Sequence, residues 1–180
     1  VSVLVITNFE FNLWVIILVA EIGAIIGFLT YNVNPAKMFM GDAGSQFLGL
    51  FVGFFAIKGL WNAPVAYELP SWSGMLIALA AFTPAAADTL TVVINRLKRG
   101  QSPMVGGKDH ATHHLVYKGL SDFQVWLRFL FISILSFLIS SILVFYLDGG
   151  SYLPTFIGAT YFIVVFVLLY RNTIKFQPPG

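Results

Sequence analysis

Five apolar runs, each close to or above the length that crosses a hydrocarbon core, constrain this chain more than any other feature. They extend over about Leu13–Tyr31, Ser45–Leu60, Trp72–Asn95, Phe123–Leu147 and Tyr152–Tyr170. A helix needs roughly 17–25 residues for the crossing. Lipid offers no water to peptide groups, so a spanning segment is either a helix or a strand of a closed barrel. These runs are continuously apolar and do not alternate in and out, which is the pattern of helices. The expected fold is all-α: a polytopic membrane helix bundle of about five transmembrane helices, forming one integral-membrane domain over residues 1–180. Charge content agrees, at 10% of residues against about a quarter in soluble domains. The absence of cysteine excludes disulfides and thiolate metal sites. No basic segment followed by a small-residue cleavage site opens the sequence, so no signal peptide is expected.

The runs are punctuated as separate helices should be. Asn32, Asn34 and Pro35 follow the first, Pro64 and Pro70 precede the third, and Asp148-Gly149-Gly150 divides the last two. Gly23 and Gly27, and likewise Ser45, Gly49 and Gly53, recur every four residues, which predicts close helix packing. Val1–Thr7 is too short to span and reads as the tail of a further helix. Lys37, Arg96, Lys98, Arg99, Lys108, Lys118, Arg128, Arg171 and Lys175 fall on one side of the membrane, and Lys58 on the other. The positive-inside rule then places the loops at about 32–44 and 96–122 in the cytoplasm, on a multi-pass protein of the plasma membrane.

Both of those loops carry residues suited to chemistry. In the first, Asp42 lies between Gly41 and Gly44 just before a helix. A carboxylate there can serve magnesium, which takes hard oxygen ligands and keeps waters and phosphates in its shell. It can also cap the helix, since Asp is a good N-cap, and spacing alone favours the cap. The second loop holds all three histidines, His110, His113 and His114, among basic side chains. Histidines so spaced suit metal binding, donation to phosphate oxygens or proton transfer, while an incidental cluster on a polar loop is the plain alternative. A zinc site would need further ligands.

The stretch NVNPAKMFMGDAGSQFLG resembles the PAK-x-F-x-GD-x-GS-x-x-LG motif of the polyprenyl-phosphate sugar-1-phosphate transferases of glycosyltransferase family 4. This family includes undecaprenyl-phosphate N-acetylglucosamine-1-phosphate transferases and the phospho-N-acetylmuramoyl-pentapeptide transferase. DTLTVVINRLKRGQSPMVGGKDHATHHLVYKGLS is similar to the family's later histidine loop, in the same order. The resemblance implies a magnesium ligand at Asp42, an aromatic stacking on uracil at Phe39, and a nucleotide-pocket asparagine at Asn32. It also implies histidines near the donor pyrophosphate at His110, His113 and His114. Lys37, Lys108 and Asp88 are candidate contacts to substrate phosphate.

The implied reaction is magnesium-dependent transfer of a sugar-1-phosphate from a UDP-sugar to undecaprenyl phosphate, with release of UMP. An N-acetylhexosamine donor is preferred to the muramoyl-pentapeptide because the histidines read H-x-x-H-H, not three in a row. The implied partners are thus the UDP-sugar, the polyprenyl phosphate and the bilayer; no nucleic acid is expected, and a homodimer is left open. The family's paired-aspartate and asparagine–aspartate motifs precede the GD-x-GS loop and are absent here. The chain therefore reads as the carboxyl-terminal part of a longer enzyme, inactive alone.

Two acids lie within the runs. Asp88 precedes Asn95 by seven residues, a depth of roughly 10 Å along a straight helix. It either borders the groove of the carrier phosphate or makes an interhelical hydrogen bond near Pro84. Glu21 matches no family motif and is expected to be protonated or paired with a neighbouring helix. Intramembrane acids and a proline break also suit a transporter, and the missing aspartates suit an inactive scaffold.

Overall fold

The computed structural model describes residues 13–33, 35–104, 106–147 and 152–177. The Val1–Thr7 run and the Asp148-Gly149-Gly150 turn lie outside the described residues. Every regular element among the described residues is a helix, as continuous apolar runs require. The chain divides into two compact units, Val1–Gly74 and Met75–Gly180, each taken by itself.

In the first unit, α1 (Leu13–Asn32) is followed by α2 (Gly41–Ala56), which continues through a π-helical turn (Ile57–Trp61), and by the short α3 (Ala63–Ala66). Aromatic rings join α1 to α2. The Trp14 ring centre lies 5.7 Å from Phe54 and 5.9 Å from Phe55, with Phe51 4.8 Å from Phe55. Lys58 Nζ sits 4.4 Å from the centre of the Trp14 ring, so this basic residue is met by an aromatic face. The expectation of close packing at the glycines is corrected. A Cβ added at Gly23, Gly27, Gly49 or Gly53 would meet nothing within 4 Å. Large aromatics, not small residues, carry this helix contact.

From the unit boundary the chain runs through α4 (Ser73–Ala81), α5 (Thr83–Lys98), α6 (Ala111–Tyr117), α7 (Asp122–Tyr146) and α8 (Leu153–Lys175). The expected straight span Trp72–Asn95 is broken: α4 and α5 meet at 85°. Pro84, at the second position of α5, has no N–H to give and its ring crowds the carbonyl four residues back. The Thr83 hydroxyl donates to Leu79 O at 3.0 Å and occupies a carbonyl at the break. Among the described residues, four helical stretches are long and apolar enough to cross a membrane singly, and the bent pair adds a fifth if it counts as one span. Asp88 and Asn95 both lie on α5, beyond the break, about 10 Å apart along that helix.

α7 opens on a capping box in which Ser121 Oγ accepts from Gln124 N at 3.3 Å and Gln124 Oε1 accepts from Ser121 N at 3.1 Å. Tyr161 fastens α8 to α7. Its hydroxyl donates to Ile132 O at 2.8 Å and is 2.7 Å from Ser136 Oγ. Gly158 lies against Leu143, where an added Cβ would come within 3.0 Å of Cδ1. The crossings of Ser136 with Tyr161 and Leu143 with Gly158 make the two helices antiparallel. α5 packs on α8 through Asn95 Nδ2, which donates to the buried Thr173 Oγ1 at 2.8 Å. α8 continues past the expected Tyr170 to Lys175, so Arg171 and Lys175 stand on a helix.

Tyr161→Phe keeps the ring and removes both hydrogen bonds. We expect a loss of about 0.5–1.5 kcal/mol in stability, read as a lower thermal unfolding midpoint in detergent. An unchanged midpoint would mean that packing alone sets the register.

Candidate functional site

The GDAGS segment of the first unit is built from the end of α1. Asn32 Nδ2 donates to Met38 O at 2.9 Å, and Lys37 N donates to Tyr31 O at 2.8 Å, folding the loop back on the helix. Phe39 is left 84% exposed, its ring unpacked. Lys37 is also exposed. Gly41 adopts φ +68°, a left-handed conformation that any side chain would strain. That turn starts α2 at Gly41, four residues ahead of the expected Ser45, and puts Asp42 in the first helical turn. The alternative of Asp42 as helix cap is removed. Met40 occupies the N-cap position, and no side-chain cap bond is made. Asp42 is exposed, and its carboxylate makes no hydrogen bond among the described residues; only its carbonyl accepts, from Ser45 Oγ at 3.0 Å.

The histidine loop of the second unit is folded onto α5 by two carboxylates. Asp109 binds Arg96 through both oxygens, to Nε at 2.6 Å and Nη2 at 2.5 Å, and Arg99 Nη2 at 3.2 Å. Arg96 is buried, and its Nη1 also donates to Pro103 O at 2.9 Å. Gly107 passes so near this pair that an added Cβ would lie 2.9 Å from Asp109 Oδ1 and 3.1 Å from Arg96 Nη2. The Arg96 hydrogen bonds hold the Asp109 carboxyl below the usual carboxylate range, outweighing the opposing push of burial. The second carboxylate is Asp88. It accepts from Ala111 N at 2.6 Å and from His110 Nδ1 at 2.8 Å. Asp88 thus makes the expected bond between helical segments, from α5 to the start of α6.

The three histidines occupy different environments. His110 precedes α6, exposed, with Nδ1 on the Asp88 carboxyl and Nε2 as its other nitrogen. His114 is buried, and its Nδ1 must carry the proton because it donates to the Phe176 carbonyl at 2.5 Å. His113 is half-buried, its backbone N donating to His110 O at 3.0 Å and its imidazole without a hydrogen-bond partner among the described residues. The stretch of the same loop just before His110 lines a cavity of about 530 Å³, with Arg96, Arg99, Gln101, Ser102, Lys108 and Asp109, and Gly106 and Gly107. Asp109 is shared there by Arg96 and Arg99, so with Lys108 the lining holds three cations against one carboxylate. Arg96 and Asp109 escaped the sequence reading, which took Arg96 only as a marker of orientation; the signal was Asp109 directly before His110.

Among the described residues no group of three or more His, Asp or Glu side chains could hold a metal ion. Magnesium is usually held by one or two carboxylates plus waters and substrate phosphates. The unpaired Asp42 fits one such ligand. Glu21 is half-buried in α1, and its carboxyl makes no hydrogen bond or ion pair among the described residues.

The fold and loops define a helical membrane protein with a basic, histidine-bearing polar segment. Residues 1–60 match the model of glycosyl transferase family 4. The chain is 33% identical over 130 residues to a decaprenyl-phosphate N-acetylglucosaminephosphotransferase of Mycolicibacterium smegmatis, covering 68% of this chain and 32% of that protein. It is 33% identical over 128 residues to a phospho-N-acetylmuramoyl-pentapeptide-transferase of Nautilia profundicola, covering 69% and 32%. A Campylobacter jejuni protein of the latter name is 63% identical over 43 residues, 24% of this chain and 12% of that one. The chain belongs to glycosyl transferase family 4, and it spans about a third or less of the length of these relatives. No solved structure matches it.

Because the folded-state Asp109 value is depressed, its contribution to stability is present above the unfolded value, about 3.9, and lost as pH falls through the folded one. Asp109→Asn should therefore unfold at lower temperature than the parent at neutral pH. The difference should shrink on acidification below about pH 4. A pH-independent difference in detergent melting curves would refute the ion pair as its source.

Proposed function

We propose that the chain is part of a polyprenyl-phosphate sugar-1-phosphate transferase. The donor is a UDP-sugar, the acceptor undecaprenyl phosphate, and the leaving group UMP. The observation that best supports this reading is the Asp42 carboxylate, unspent on capping, in a turn that only Gly41 readily permits. The names of the curated relatives, which include a decaprenyl-phosphate phosphotransferase, support the reaction class.

In this reaction an oxygen of the polyprenyl phosphate attacks the sugar-linked phosphorus. The bond from that phosphorus to the bridging oxygen breaks, and UMP departs with the bond electrons. The acceptor monoester is largely dianionic at neutral pH, its second pKa being near 6, so it needs little base assistance. The work left to the protein is positioning and charge stabilisation. Phe39 offers an open aromatic face for the uracil, and Asn32 holds the loop that presents it. Asp42 supplies a carboxylate to magnesium, which when bound would neutralise pyrophosphate charge. His110, fixed through Nδ1 by Asp88, serves phosphate oxygens through Nε2. Lys108 and Arg99 add positive charge in the adjoining cavity. His114, committed to Phe176, acts as a structural anchor.

An N-acetylhexosamine donor remains the first reading. Transfer from a muramoyl-pentapeptide donor is the second, favoured by the 63% identical segment of the Campylobacter jejuni relative. Turnover measured with each donor separates them. The 180 residues alone are expected to be inactive, because the family's upstream aspartate motifs are not among them.

Asp42→Asn tests the central residue. In the enzyme assembled with the amino-terminal part its relatives carry, this variant should keep its expression and thermal stability. Its turnover should fall at least about a hundredfold, the scale seen on removing a principal electrostatic stabiliser. Near-parental turnover with unchanged magnesium dependence would end the assignment.

A further inference from the structure

The second unit holds a larger cavity, about 920 Å³, between α6, α7 and α8, which the proposed chemistry does not use. Leu127, Phe131, Ile132 and Leu168 form its apolar walls. Its charged lining is entirely basic: Lys118, Arg128, Arg171 and Lys175, with no carboxylate. The antiparallel register set by Ser136 with Tyr161 and Leu143 with Gly158 brings Arg128 level with Arg171. Lys175 follows Arg171 by one helical turn on α8. Lys118 and Lys175 both place Nζ over the Phe176 ring, at 5.3 and 5.5 Å from its centre. None of the four cations has an acidic partner among the described residues.

Like charges gathered beside an apolar wall repel one another unless an anion joins them. A soluble anion would answer the charges and leave the walls uncovered. A zwitterionic lipid would cover the walls and bring its own cation to the charges. Arg128 lies six residues into α7, about 9 Å along the helix, so charge and apolar wall meet near the end of a span. Basic pockets between transmembrane helices are a recurrent setting for anionic headgroups.

We propose that this groove binds one anionic glycerophospholipid, its phosphate held by Arg128, Arg171, Lys118 and Lys175. An acyl chain then lies along Leu127, Phe131 and Leu168. The proposal does not rest on the transferase reading.

The test is thermal unfolding of the purified chain in neutral detergent, supplemented with dioleoyl-phosphatidylglycerol, dioleoyl-phosphatidylcholine, inorganic phosphate or undecaprenyl phosphate. Phosphatidylglycerol should raise the midpoint by several degrees, and phosphatidylcholine and inorganic phosphate should not. The double variant Arg128→Gln/Arg171→Gln should keep its lipid-free midpoint and lose most of that rise. Arg128→Gln alone should retain less phosphatidylglycerol in native mass spectrometry. Equal stabilisation by phosphatidylcholine or inorganic phosphate, or an undiminished rise in the double variant, would overturn the proposal. So would stabilisation by undecaprenyl phosphate that matches phosphatidylglycerol and is lost in the double variant, which would assign the groove to the carrier.

Discussion

An acid on an apolar helix must find hydrogen-bond donors within the protein, and the way Asp88 finds them organises the second unit. One oxygen takes the first amide of α6 and the other takes Nδ1 of His110. The helix following the break at Pro84 thereby decides where the histidine helix begins. The bidentate pair of Arg96 and Asp109, two helical turns further along α5, closes the loop in between. With both carboxylates committed, a segment that reads as a wet loop becomes a packed structure with buried Ala111 and Leu115.

That packing divides the histidines into different tasks. His114 is used up in holding the end of α8 through the Phe176 carbonyl, a contact 62 residues away in sequence. His110 is oriented at one nitrogen and exposed, an arrangement suited to a group that handles phosphate oxygens or protons. The first unit follows a similar economy. Asn32 shapes the loop, Gly41 bends it, and Asp42 stays unspent.

The helical architecture was legible because apolar continuity in lipid admits few alternatives. Four of the five runs correspond to helices within a few residues at most boundaries. The third was misread as straight because hydropathy is blind to the missing N–H of Pro84. The glycine stripes were overread: spacing shows that close approach is allowed, and Trp14, Phe54 and Phe55 fill the contact instead. At the sites, motif residues were legible as types but not in their partners. Asp88 with His110, Arg96 with Asp109 and His114 with Phe176 are set by tertiary packing, which no local pattern encodes. Arg96 in particular looks from sequence like every other cation on its side of the membrane.

The account rests on Asp88 and His110 acting as one unit, and a double-mutant cycle on turnover measures this directly. Asp88→Asn, His110→Gln and the double variant would be compared in the enzyme bearing its relatives' amino-terminal part, with nucleotide KM and thermal stability followed alongside. The account predicts that each single change lowers turnover by at least about tenfold and that the double variant is no slower than His110→Gln alone. Single losses that multiply in the double variant, or singles that leave turnover intact, would contradict it.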